Sequence, residues 1–200
     1  MSARGPVTRR SRRTRARLVQ AARDQLAHAG QLDAEVVAIE AGVSTATFYA
    51  HFDRHDDAVA AALDLSLTAI VGVAELHFHI EALLEEGVDR VLPRLIREAH
   101  AVFREESSVL RAALARTMLH DRIREVYVGH EKRSLEYLTR QISLGQKAGV
   151  LRDGPPELRA TSMLIVLQSL QNPLLKHQGL DPGVAEDMER ALRAVLISHP

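Results

Sequence analysis

Apolar residues recur at steps of three and four along almost the whole chain, and that spacing commits it to helices. Leu18, Val19, Ala22 and Leu26 mark a first run, and Val59, Leu63, Leu67, Ile70, Val71 and Ala74 a long second one. Val88, Val91, Leu92, Leu95, Ile96, Ala99, Val102 and Phe103 form a third, which Pro93 interrupts and is expected to kink. Residues 109–119, opened by Ser107 or Ser108, read as a separate shorter helix, and residues 123–142 as a long one with a polar middle. Gly149 and Asp153-Gly154-Pro155-Pro156 break the pattern, and two last helices are expected over 156–176 and 183–198. Aromatic residues make up 4 % of the chain and Trp is absent, which suits aliphatic helix packing better than a β-sandwich. The expected class is all-α.

Punctuation is densest near the N-terminus. Gly30 is placed to cap the first helix, and the Asp33 carboxylate to cap a short one through Ala41. Gly42 ends that helix where a left-handed residue is cheap, and Ser44 caps another within two residues. Phe48 and Phe52, four apart, give this next helix one apolar side. Asp53 is expected to open the following helix, with Asp56 and Asp57 set against its N-terminal dipole. Two helices joined by a tight glycine turn make a helix-turn-helix. The second is too short to stand alone and must dock through its phenylalanines. That leaves Thr45, Thr47, Tyr49, Ala50 and His51 outward, side chains suited to base edges and phosphates.

The formal charge is zero, yet it is unevenly placed. Residues 1–17 hold seven Arg and no acid, leaving 19 basic and 26 acidic side chains for the other 183 residues. A basic arm on an acidic body is the pattern of a local polyanion contact. The chain has no Cys, which excludes disulfides, thiolate metal sites and cysteine nucleophiles. No run of 18 wholly apolar residues is found, so no membrane span is expected, and no apolar segment of signal-peptide type follows the basic N-terminus.

Ten His invite a metal or enzyme reading, but their spacing does not support one. His77 and His79 lie two apart and point to different sides of a helix; His100, His120 and His130 are isolated. No H-E-x-x-H, phosphate-binding glycine loop or G-x-S-x-G elbow is found. No catalytic residue, cofactor or metal is assigned. A metal-sensing role through His77, His79 and His100, or DNA binding that answers to no ligand, is the alternative.

The run Val37-Ala38 through Ala41-Gly42-Val43-Ser44, then Thr45-Ala46-Thr47-Phe48-Tyr49-Ala50-His51-Phe52, resembles the TetR family of transcriptional repressors. Arg15, Leu18, Val19, Ala21 and Ala22 with Gly30 are similar to that family's first helix, and 145–153 to the turn before its dimerisation helices. Three positions depart from the family pattern: Asp33 in place of Thr, Ala46 in place of Gly and His55 in place of Lys. Asp33 still caps but would repel a phosphate, and a neutral His offers only one hydrogen bond, making its contact pH-dependent. The resemblance implies a basic arm (1–12), a three-helix DNA-binding domain (13–57) and a helical ligand-binding and dimerisation domain (58–200). It implies that Ser44, Thr47, Tyr49, His51 and His55 hold phosphates of double-stranded operator DNA, while Thr45 and Ala46 face bases. Arg9, Arg10, Arg12 and Arg13 would add backbone contacts. It further implies a pocket for a small apolar or amphipathic effector, with His100, Phe103, Met118, Tyr127, Tyr137 and Met163 as candidate lining. A homodimer through Leu167, Leu170, Leu174, Met188, Leu192 and Val195, in the cytoplasm, completes the expectation.

Overall fold

A computed structural model describes residues 8–172 and 179–197. Among them there is no strand. The helices are α1 (Arg9–Ala29), α2 (Ala34–Glu40), α3 (Thr45–His51), α4 (His55–His77), α5 (Ile80–Glu86), α6 (Val88–Leu114), α7 (Asp121–Lys147), α8 (Pro156–Gln168) and α9 (Pro182–Leu196). A single 3-10 turn, Ser169–Gln171, extends α8. The chain divides into two compact units. One comprises the residues up to Ser66 with Ser108–Tyr127; the other comprises Leu67–Ser107 and the residues from Val128 onward.

The first unit is built from the local signals. Gly30 sits at φ 69° and its N–H donates to the Leu26 carbonyl, ending α1. Asp33 accepts from the amides of Glu35 (2.8 Å) and Val36 (3.4 Å), and its own amide donates to the Gln25 side chain at 2.8 Å. Gly42, at φ 66°, turns the chain between α2 and α3. Leu18, Ala22, Leu26, Val37, Ala38, Phe48, Phe52, Val59 and Leu63 are all buried. Two boundaries differ from expectation. The first helix starts at Arg9 rather than near residue 13, because Thr8 supplies an N-cap by accepting from Ser11 N–H at 3.2 Å. The fourth begins at His55, not Asp53.

Helix α6, whose residues are shared between the two units, runs unbroken through Ser107 and Ser108. Ser107 donates back to the Arg104 carbonyl at 2.9 Å instead of capping a new helix, and so satisfies its hydroxyl without breaking the turn. Seven-residue α5 was not anticipated. Its N-cap is His79, whose Nδ1 accepts from Ala82 N–H at 3.3 Å, and histidine carries no strong cap signal in sequence. The joint between α4 and α5 is held from α7: the Tyr137 hydroxyl lies 3.2 Å from the Glu75 carbonyl and 3.1 Å from that of Phe78, and Gln141 accepts from Ile80 N–H at 2.9 Å. Burial first, then the Glu75 and Glu81 carboxylates, push the Tyr137 phenol above its ordinary range. At the other end, Arg152 and Arg159 donate to the Ala194 and Val195 carbonyls (2.9 and 2.7 Å), satisfying the last turn of α9.

By length and composition α4 is apolar enough to cross a bilayer, with a mean hydropathy of 1.8 over its most apolar stretch. The expectation that no segment qualifies counted only unbroken apolar runs. This helix carries Asp56, Asp57, Asp64 and Glu75 and buries Ala58, Val59, Ala62, Leu63, Leu67 and Val71, while Leu65 and Leu76 stay exposed.

Because α2 has only seven residues, its stability rests heavily on its cap. Asp33→Ala should cost about 0.5–2 kcal/mol, while Asp33→Thr keeps the cap and should cost less. Urea denaturation of the three proteins checks this; equal midpoints would contradict it.

Candidate nucleic-acid interface

Helix α3 is docked by its inward face. Phe48 and Phe52 are 0 % and 1 % exposed, with ring centroids 5.1 Å apart. The Arg15 guanidinium of α1 sits 5.0 Å from the Phe52 ring centre, a cation–π contact that ties α1 to α3. At the N-terminus Ser44 Oγ accepts from Thr47 N–H at 3.2 Å and lies 3.0 Å from the Thr47 hydroxyl. The Tyr49 ring stands edge-on to Phe48 at 5.2 Å and is 48 % exposed, and its hydroxyl lies 3.1 Å from His55 Nε2.

With Phe48 and Phe52 inward, the rest of α3 faces out. Ser44, Ala46, Tyr49, Ala50 and His55 are exposed, and Thr45, Thr47 and His51 half-buried. In the same unit Arg9, Arg10, Arg12 and Arg13 are exposed on α1, and Arg9, Arg10, Arg13, Thr14 and Arg17 line one shallow concavity. The first turn of α1 has no acidic side chain. Four Arg at the positive end of a helix dipole raise each other's energy, and an anion laid against them relieves it. Asp33 stands exposed at the N-cap of α2.

Two contacts here were not legible in the sequence. The hydrogen bond between Tyr49 and His55 crosses the turn between α3 and α4, whose shape no local signal sets. Asp56, expected only to favour the α4 dipole, also meets Arg116 Nε at 3.8 Å and His120 Nδ1 at 3.3 Å. Those partners lie some sixty residues on, in the turn between α6 and α7.

The candidate pocket residues are divided between the two units. Met118 (86 % exposed) and half-buried Tyr127 belong to the first unit; buried His100, Phe103 and Met163, with half-buried Tyr137, belong to the second. The Tyr137 hydroxyl is engaged by carbonyls, whereas His100 Nε2 is buried with no hydrogen-bond partner among the described residues. Burial and the nearby Arg94 and Arg97 hold His77 below the ordinary histidine range. Among the described residues no three His, Asp or Glu side chains converge as a metal site would require.

On the last helices Leu167, Leu170, Met188 and Leu192 are buried within the chain itself and Val195 is half-buried; Leu174 lies outside the described residues. The exposed apolar side chains are instead Leu158 (64 %) and Ile165 (62 %) on α8, Val184 (40 %) on α9 and Val128 (53 %) on α7. Leu158 and Ile165, seven apart, share a face roughly opposite Leu167. Helix α8 is apolar on both sides, and sequence alone could not say which side its own chain covers.

No family model matches the chain, and no curated protein sequence does so either. Solved structures match it over most of its length. A protein named as a TetR-family transcriptional regulator from Mesorhizobium loti is 22 % identical, with a TM-score of 0.70 over 94 % of this chain and 95 % of that one. A TetR transcription regulator from Haloarcula marismortui is 20 % identical, with a TM-score of 0.69 over 91 % and 95 %. A protein named as a transcriptional regulator from Saccharomonospora viridis, solved in complex with choline, is 22 % identical, with a TM-score of 0.68 over 92 % and 98 %. At such identities the likeness concerns architecture, and the architecture of this chain is that of the TetR-family transcriptional regulators.

Proposed function

We propose that this chain is a TetR-family transcriptional regulator: a cytoplasmic, non-enzymatic homodimer that represses by binding palindromic operator DNA and leaves it when a small effector binds. The observation that carries this reading is the outward face of α3. Ser44, Thr45, Ala46, Thr47, Tyr49, His51 and His55 are arrayed over a buried Phe48–Phe52 base, with the Arg-rich start of α1 in the same compact unit. Polar side chains on a docked short helix reach base edges, while guanidinium groups release counterions from phosphates. The exposed face of α8 and α9, with Leu158, Ile165 and Val184, is the proposed dimer contact. His100, with its unpartnered Nε2, is the proposed anchor for a polar group on an otherwise apolar effector. A structure of this fold solved in complex with choline supports a small-molecule role for this chain.

Selection from random duplexes should return an inverted repeat with half-sites about 10 base pairs apart or a multiple of that. Replacing Arg9, Arg10, Arg12 and Arg13 by Gln should weaken binding to every duplex and flatten its salt dependence by roughly one unit of slope per lost phosphate contact. Recovered sequences without a dyad would count against the proposal.

Ile165→Glu should turn dimer into monomer in light scattering, because the new carboxylate would be desolvated at the contact. A wild-type chain that is monomeric at micromolar concentration would remove this part of the reading.

An effector found by thermal-shift screening should lower operator affinity, and operator should lower effector affinity by the same factor. Parallel calorimetric titrations with and without duplex measure both; equal affinities would exclude that compound as an inducer.

A further inference from the structure

We propose that Arg17 is a further contact for the DNA backbone, the last of three arginines on α1 that lead one strand's phosphates toward the start of α3. This rests on the operator-binding reading above and deepens it, by naming the residue that sets the register of α3 on the duplex. Arg9, Arg13 and Arg17 recur at every fourth position of α1, so each stands about 6 Å beyond the last along the helix and is turned by about 40°. All three are exposed and line one concavity with Arg10 and Thr14. Leu18, Ala21, Ala22 and Leu26 are buried on the other side of the helix. Arg15 is turned toward that side, with its guanidinium 5.0 Å from the Phe52 ring centre.

Arg17 differs from the other two in what lies beside it. Its Nη1 is 3.6 Å from the point that a Cβ on Gly42 would occupy, so the guanidinium lies against the turn between α2 and α3. Two residues beyond Gly42 stands Ser44, whose hydroxyl is 3.0 Å from that of Thr47. Past Arg17 the sign of the surface changes. The groove between α1 and α2 continues from it with Asp24 and Glu40 in its lining, and Gln20 donates to Asp24 at 2.9 Å. A phosphate strand that follows the arginines is attracted as far as Arg17 and repelled beyond it. The Gly42 turn, with Ser44 after it, lies at that boundary. Phosphate contacts of this kind carry no sequence information; they fix where the duplex lies against the helix that reads it.

The same place suits a cation for a second reason. Helix α2 ends at Glu40 with Ala41 as its C-cap, and a positive charge near a helix C-terminus is favourable. The two roles make different demands. Steadying the end of α2 contributes to folding and releases no counterion from DNA. Holding a phosphate contributes to binding and releases about one counterion for each half-site.

Ethylation interference and salt-titrated fluorescence anisotropy, on the full chain with the selected duplex, test this. In wild type, ethylating neighbouring phosphates of one strand in each half-site should block binding. Arg17→Gln should lose the block at one of these phosphates, and Arg13→Gln at the next along the strand. Arg17→Gln should also bind roughly tenfold more weakly at low salt, with a salt slope lower by about one unit per half-site. Arg17→Lys should keep the slope. Arg23→Gln removes a charge from a later turn of α1 and should leave both readouts unchanged. An equal loss of slope in Arg23→Gln would overturn the proposal, because bulk charge rather than a contact would then carry the effect. Weaker binding by Arg17→Gln with the slope intact and a lower urea midpoint would overturn it in favour of the role at the end of α2. Wild type that binds no duplex overturns the operator reading and this proposal with it, whereas wild type and Arg17→Gln that bind alike overturn the proposal alone.

Discussion

A seven-residue helix has no stability of its own in water, since the cost of nucleating it outweighs the few hydrogen bonds it can form. Helix α3 exists because Phe48 and Phe52 are removed from solvent, each burial contributing roughly 1.5–3 kcal/mol. Those two rings set the rotation of the helix, and so every outward residue from Ser44 to His51 is placed by what lies beneath it. Arg15 secures the arrangement from α1, and Tyr49 leans edge-on against Phe48. Weakening that aromatic base would disperse the outward face before any of its own residues changed.

Helix α4 carries this arrangement onward. Its first residue holds the Tyr49 hydroxyl and its second meets Arg116 and His120. These half-exposed contacts are worth little as stability. Their consequence is positional: a turn distant in sequence is attached one residue from the group that touches the outward face of α3. The last residues of the same helix belong to the other compact unit, where Tyr137 and Gln141 grip the carbonyls and amide of the joint with α5.

Much of this protein was written in its sequence because the forces concerned act over short range. The caps at Gly30, Asp33, Gly42 and Ser44 depend on one residue's backbone freedom or on a side chain reaching an amide two or three positions away. The inward pair Phe48 and Phe52 follows from helical spacing, and with it the outward set from Thr45 to His51. Tertiary structure decided the rest. Whether α6 broke at Ser107 depended on where a hydroxyl found its acceptor, and α5 exists because a histidine caps it and α7 holds its first amide. The free face of α8 could not be read, since both faces are apolar and only the fold shows that Leu167 is covered while Leu158 and Ile165 are not. The bond between Tyr49 and His55, and the meeting of Asp56 with Arg116 and His120, join groups that no local rule brings together. Short-range hydrogen bonding and helical period are properties of a segment; pairing across a turn or between distant helices is a property of the packed chain.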